Sequence, residues 1–210
     1  MKTVLFQGDS ITDSGRFTEG TLDIGHGYPA MVAAYMGEKY PQKYKFIDRA
    51  VSGNRIVDVY ARVKRDIINL KPDYLSLMIG INDVWHDLGD DPNGVETPRF
   101  QRVYDELMSV VTEALPETKI ILMSPYYTEK TVLWDKNFKL WVTEKAEIAK
   151  EMSKKYKTAF IDTQMLFDKA VKRAPLEYWT ADGVHPTMFG HKLIANEYVK
   201  VFSEMEGLKK

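Results

Sequence analysis

The chain contains no cysteine. That absence excludes disulfides, thiolate metal sites and a cysteine nucleophile, so covalent catalysis would have to use another side chain. A surplus of one charge is also missing: 29 Lys and Arg stand against 30 Asp and Glu, a formal net charge of −1. Nothing in that balance recommends nucleic acid or an anionic membrane surface as a partner. No apolar run approaches the roughly 18 residues that a membrane helix needs. The first strand pattern starts almost at Met1 and leaves no room for a signal peptide, so a cytoplasmic protein is expected. Repeats, low-complexity stretches and linkers are missing too. With 210 residues, 44% of them hydrophobic, the sequence predicts one domain over residues 1–210 with a full-sized core.

What is present is an alternation of short β-rich runs and helical patterns. Candidate strands lie at residues 3–6, 45–48, 74–78, 120–123 and 159–161; they are apolar without clean alternation, as strands covered on both faces are. Between them Ile56, Val59, Tyr60, Val63 and Ile67 form one helical stripe. Phe100, Val103, Tyr104, Leu107, Val110, Val111 and Ala114 form another. Further helices are expected at 28–39, 139–155 and 189–202. This order predicts an α/β fold, a three-layer α/β/α sandwich around a parallel sheet of about five strands. Residues 87–98 and 125–137 read as working loops, each beyond the carboxyl end of a strand.

Four segments fall at strand ends or in the last loop. They are Gly8-Asp9-Ser10-Ile11, Ser52-Gly53-Asn54, Gly80-Ile81-Asn82-Asp83 and Asp182-Gly183-Val184-His185-Pro186. In a parallel sheet the strand carboxyl ends share one edge, so these groups can converge. Together they supply the parts of an acyl-transfer site. Ser10 is the candidate nucleophile, His185 the base that takes its proton, and Asp182 the carboxylate that fixes the imidazole. The Ser10 amide, the Gly53 amide and the Asn82 carboxamide are candidate oxyanion donors.

Each group also has a plainer reading. Asp9 suits a turn or cap better than a second catalytic acid, and Asn54 suits a helix cap ahead of Ile56 or a brace for the donors. His191 on the last helix reads as a surface or packing residue, while His26 and His86 lie in loops near the expected cleft. No histidine pair has zinc-site spacing, and Asp87, Asp90 and Asp91 lack a calcium-loop pattern, so no metal is expected. Gly25-His26-Gly27-Tyr28-Pro29-Ala30 fits a dinucleotide fingerprint, but residues 21–24 before it make a poor strand, so it reads as a decoy. Trp85, Trp134, Trp141 and Trp179 are core filler by default. Trp85, just after Asn82-Asp83, is the best placed to wall a bound ligand, and Trp179 to flank the His185 loop.

The four segments, in this order and spanning residues 8 to 186, resemble the sequence blocks of the SGNH hydrolases, also called the GDSL family. Ser10, Gly53, Asn82 and His185 match the lettered positions and Asp182 the family carboxylate; Ile11 replaces the eponymous Leu. Within the family the chain is most similar to intracellular acetylxylan esterases. The features that carry this are Gly8 to Asp13, Ile79 to Trp85, Phe160-Ile161-Asp162-Thr163-Gln164 and the pair Gly27-Tyr28. The resemblance implies a flavodoxin-like SGNH fold and ester hydrolysis with no metal or organic cofactor. Its implied substrates are acetylated xylo-oligosaccharides or similar sugars, with Trp85, His86, Tyr28 and Trp179 as candidate substrate contacts. It leaves room for a homo-oligomer that no motif here specifies. Two alternatives stay open: a lysophospholipase, thioesterase or general short-acyl esterase on the same machinery, and a catalytically silent sugar-binding domain.

Overall fold

A computed structural model of the chain describes residues 1–17, 24–88, 90–129 and 136–208. Five strands, β1 (Lys2–Gly8), β2 (Tyr44–Asp48), β3 (Tyr74–Met78), β4 (Lys119–Met123) and β5 (Ala159–Ile161), form one sheet in the order β2-β1-β3-β4-β5. Every neighbouring pair is parallel. The helices are α1 (Ser10–Asp13), α2 (Tyr28–Lys39), α3 (Ile56–Ala61), α4 (Val63–Asp66), α5 (Ile81–Trp85), α6 (Thr97–Ala114), α7 (Lys136–Lys155), α8 (Thr163–Ala170), α9 (Leu176–Trp179) and α10 (Met188–Glu206).

The lack of alternation in the strand sequences has its cause in two cores. Val4, Phe6, Tyr74, Met78, Ile121 and Met123 face one of them, with α2 and α10. Leu5, Leu75, Leu77, Ile120 and Leu122 face the other, with α3, α6 and α7. Both faces are covered, so nearly every strand position is apolar. Helix α6 buries Phe100, Tyr104, Leu107, Met108 and Val111, each worth about 1.5–3 kcal/mol of transfer free energy. Its Pro98 sits in the first helical turn, where a missing N–H costs nothing, so the expected loop 87–98 ends earlier than its Pro suggested. The stripe from Ile56 to Ile67 is not one helix: it breaks at Arg62 into α3 and α4, yet Ile56, Val59 and Ile67 stay buried. Asn54 does not cap α3. The Ile56 N–H is taken instead by the Asp83 carboxylate from α5, at 3.0 and 3.1 Å.

At the amino-terminal edge of the sheet Glu206 ends α10 with a side chain only 4% exposed. It accepts from Lys2 Nζ at 2.7 Å, from the Tyr44 hydroxyl at 3.0 Å and from the Tyr74 hydroxyl. Lys43 and Lys119 lie 3.5 and 3.9 Å away. This hub ties the last helix to the first strands, at the end of the sheet remote from the site below.

Residues 21–23, residue 89 and residues 130–135, which include Trp134, most of the poor strand 21–24 and parts of the two expected loops, lie outside the described residues. Among the described residues no helix is long and apolar enough to cross a membrane.

Candidate active site

The strand order changes direction at β1, so the carboxyl ends of β1 and β3 flank the crevice where ligands of open α/β sheets bind. Ser10 leaves β1 there and Asn82 leaves β3. The β1 exit is cramped: a Cβ on Gly8 would come within 2.5 Å of the Met78 carbonyl and of Thr12 Oγ1, so glycine is required. Asp9 then caps α1, accepting the Ile11 N–H at 3.0 Å. Burial pushes its carboxyl up to about 7, against the pull of that N–H and of His185. It is a cap, as its turn context predicts. Ser10 is the first residue of α1 and half-buried.

Ser10 Oγ lies 2.9 Å from His185 Nε2, and His185 Nδ1 lies 2.6 Å from Asp182 Oδ2. The other Asp182 oxygen accepts the backbone N–H groups of Val184 at 3.0 Å and His185 at 2.7 Å. Burial alone would raise Asp182, but the His185 ring and those two amides outweigh it and hold the carboxyl below its usual range. The turn that presents both side chains is closed by Ala181 N–H on the His185 carbonyl at 2.8 Å and by a bridge between Thr180 and Pro186. From beyond β4, the Tyr126 hydroxyl donates to the Val184 carbonyl and Thr128 Oγ1 to the Gly183 carbonyl, the latter at 2.6 Å. Sequence reasoning missed these two supports. Nothing local marks them, since both act across 55 residues or more.

Gly53 sits at φ +81°, in the left-handed region that favours glycine. Its N–H, like that of Ser10, meets no acceptor among the described residues. The Asn82 carboxamide donates one N–H to the Asn54 carbonyl at 3.1 Å, which leaves its second N–H to serve a ligand. The Ser10, Gly53 and second Asn82 N–H groups are thus without an acceptor among the described residues, and they follow β1, β2 and β3 on the same edge of the sheet.

A cavity of about 490 Å³ opens at Ser10 and His185, lined also by Ser14, His26, Pro186, Met188 and His191. His191 is buried, its Nδ1 accepting the Tyr28 N–H at 3.2 Å, and burial lowers it to about 4, so it is a neutral packing residue. Trp85 is half-buried with its ring centroid 6.0 Å from that of His185. His86, at the end of α5, lies near Gly53 and is held below the usual histidine range by burial and by Arg55. Two expected substrate contacts do not reach the cleft. Tyr28 is fully buried against Phe6 and Tyr198, its hydroxyl 3.1 Å from Thr12 Oγ1. Trp179 is 7% exposed, its indole N–H on the Ala174 carbonyl at 3.2 Å. It braces the His185 turn through its own carbonyl, which accepts Thr187 N–H at 2.9 Å. Large aromatic area drives both rings into the core. Gly25–Gly27, the supposed dinucleotide loop, follows no strand; β1 ends at Gly8. Among the described residues no three His, Asp or Glu side chains gather to hold a metal ion.

The profile of the GDSL-like lipase/acylhydrolase family matches residues 6–193. An acetylxylan esterase from Geobacillus stearothermophilus is 34% identical over 204 residues, covering 94% of this chain and 92% of that protein. A GDSL-like lipase from Parabacteroides merdae superposes with a TM-score of 0.88 at 34% identity, over 99% of this chain and 96% of its own. An α/β hydrolase from the metagenome of Lake Arreo gives 0.86 at 28% identity, over 100% and 97%. Structures similar to this one also include catalytic mutants of the Geobacillus esterase. A profile that spans almost the whole chain, together with a relative of this identity and coverage, places this chain in the GDSL-like lipase/acylhydrolase family, as a carboxylic ester hydrolase.

Proposed function

We propose that residues 1–210 act as one hydrolase domain that removes acetyl groups from acetylated sugars, xylo-oligosaccharides above all, through an acyl-enzyme on Ser10. The observation that carries the chemistry is the chain of contacts from Ser10 Oγ to His185 Nε2 at 2.9 Å and from His185 Nδ1 to Asp182 at 2.6 Å. In this reading Ser10 attacks the ester carbonyl while His185 Nε2 takes the hydroxyl proton. Asp182 keeps the Nδ1–H tautomer and stabilises the imidazolium. The carbonyl oxygen becomes an oxyanion that the Ser10 and Gly53 amides and the free Asn82 N–H bind. The imidazolium then gives its proton to the departing sugar oxygen as the C–O bond breaks. Water, deprotonated by the same histidine, attacks the acyl-enzyme and releases acetate and free Ser10. The chain's own groups and water suffice for every step.

The substrate class is supported by the acetylxylan esterase relative and by Trp85, whose ring stands beside His185 where a sugar leaving group would pass. A panel of acyl chain lengths on aryl esters, together with acetylated xylo-oligosaccharides, tests it. A short acyl site discriminates by about 1–3 kcal/mol per methylene, so rates should fall steadily from acetyl to butanoyl and beyond. Trp85→Ala should slow turnover of the acetylated oligosaccharide more than that of a small aryl acetate. Octanoyl esters outpacing acetyl esters, with Trp85→Ala affecting both acetyl substrates alike, would transfer the assignment to a lipid or thioester hydrolase.

A further inference from the structure

Asp13 is a buried carboxylate that the mechanism above does not use, since Asp182 already serves His185. Its Oδ2 accepts two hydrogen bonds from Ser52, from the backbone N–H at 2.8 Å and from Oγ at 2.7 Å. Its other oxygen accepts the Arg16 N–H at 3.2 Å, and Arg16 Nε lies 3.7 Å away. The same Arg16 Nε donates to the Ala50 carbonyl at 2.6 Å. One turn of chain therefore grips the loop leaving β2 on both sides of Val51.

We propose that Asp13 is a positioning residue for ester hydrolysis: by holding Ser52 it sets the Gly53 amide at a fixed distance from the Ser10 amide. The inference rests on reading the Gly53 amide as an oxyanion donor. Ser10 opens α1 and Asp13 closes it, three residues on, so a single helical turn carries the nucleophile, one donor and the clamp on the second donor. The need for a clamp follows from Gly53 itself. It is the loop residue with the freest backbone, at φ +81°, and its N–H meets no partner among the described residues. Its position is set by its neighbours. Ser52 is held by Asp13, Asn54 by the Asn82 carboxamide at 3.1 Å, and Ile56 by Asp83 at 3.0 Å. Asn82 thus acts at both ends: it offers one N–H to the oxyanion and uses the other to hold the far side of Gly53. Donors tuned for an oxyanion must lie within a few tenths of an ångström of place, and about 1 Å of misplacement costs on the order of 100-fold in rate.

The experiment compares Asp13→Ala, Asp13→Asn and Ser52→Ala with Asn82→Ala as the reference for a lost donor. Readouts are kcat and KM on an aryl acetate, the rate of inactivation by an organophosphonate, and the melting temperature. Asp13→Ala should lower kcat about 10- to 100-fold with KM within about threefold, because the donor acts in the transition state. Phosphonate inactivation, in which Ser10 displaces a leaving group through a pentacoordinate transition state with charge on the phosphoryl oxygen, should slow in parallel. In Asp13→Asn the carboxamide oxygen still accepts from Ser52, so most of the kcat should return. Ser52→Ala keeps the backbone contact and should lose less than about tenfold; it carries the test should Asp13→Ala fail to fold. A kcat within about twofold of wild type in Asp13→Ala, alongside a large loss in Asn82→Ala, overturns the clamp and leaves the oxyanion reading standing. An unchanged kcat in Asn82→Ala as well overturns that reading and the clamp with it. Equal losses of kcat in the Ala and Asn variants, each matched by a lower melting temperature, make Asp13 a fold residue only and also overturn the proposal.

Discussion

Replacing Asp182 by Asn should separate catalysis from stability, and the hydrogen bonds around the carboxylate set the size of each effect. Asp182 Oδ1 holds the Val184 and His185 amides and Oδ2 faces His185 Nδ1. An Asn side chain has one acceptor and one donor end. With its oxygen toward the two amides, both turn contacts survive; the opposite orientation aims NH₂ at two backbone donors and costs roughly 1–3 kcal/mol for each. The first orientation wins. It turns an amide N–H toward His185 Nδ1, which must then accept, and the ring proton moves to Nε2. There it points at Ser10 Oγ, and the ring can no longer take the serine proton. The expected loss in kcat is about 10⁴-fold, or roughly 5 kcal/mol, with KM little changed. Asp182→Ala should rank the other way on stability. It strands two amides and lowers stability by about 2 kcal/mol, yet it leaves the imidazole free to adopt the productive tautomer. Initial rates on an aryl acetate and thermal unfolding of both variants make the comparison. A kcat for Asp182→Asn within about tenfold of wild type would refute the claim that this carboxylate fixes the tautomer.

Other expectations concern the frame. Glu206→Ala leaves two tyrosine hydroxyls and the Lys2 ammonium without their acceptor. The two tyrosine hydroxyls alone should cost about 2–4 kcal/mol, read as a melting point lower by roughly 4–16 °C with kcat unchanged; a matching loss of kcat would show that the hub is not remote from catalysis. Burial raises Asp48 to about 8 and Asp83 to about 7. A carboxyl that binds its proton more tightly when folded contributes stability that is full below its unfolded pKa of about 4 and is lost as pH rises through the folded value. Urea unfolding should therefore show lower stability near pH 8 than near pH 5. Asp48→Asn, which removes one such titration, should shrink that difference; an equal difference in the variant removes Asp48 as a source.

Much of this was legible in the sequence because the informative residues are tied to strand ends. All five strands lie where their apolar runs place them, and α2 matches its expected span of 28–39. Buried β-strands announce themselves through composition, and the turns after them through Gly, Asp and Ser. Ser10, His185 and Asp182 meet in one run of contacts, while Gly53 and Asn82 follow β2 and β3 on the sheet edge that parallel strands share. What was not legible depends on partners distant in sequence. Tyr28 and Trp179 carry no local mark of burial, and the core on the α2 and α10 side of the sheet takes both in. Asn54 loses the expected cap to a tertiary carboxylate, Asp83. The break at Arg62 interrupts a stripe whose periodicity runs on through it.

The central claim is that Ser10 is the nucleophile of a serine ester hydrolase, and covalent labelling tests it most directly. The chain should react once with an organophosphonate, and peptide mass spectrometry should place the adduct on Ser10, with no labelling and no ester turnover in a folded Ser10→Ala variant. An adduct on any other residue, or undiminished turnover in Ser10→Ala, would contradict the account.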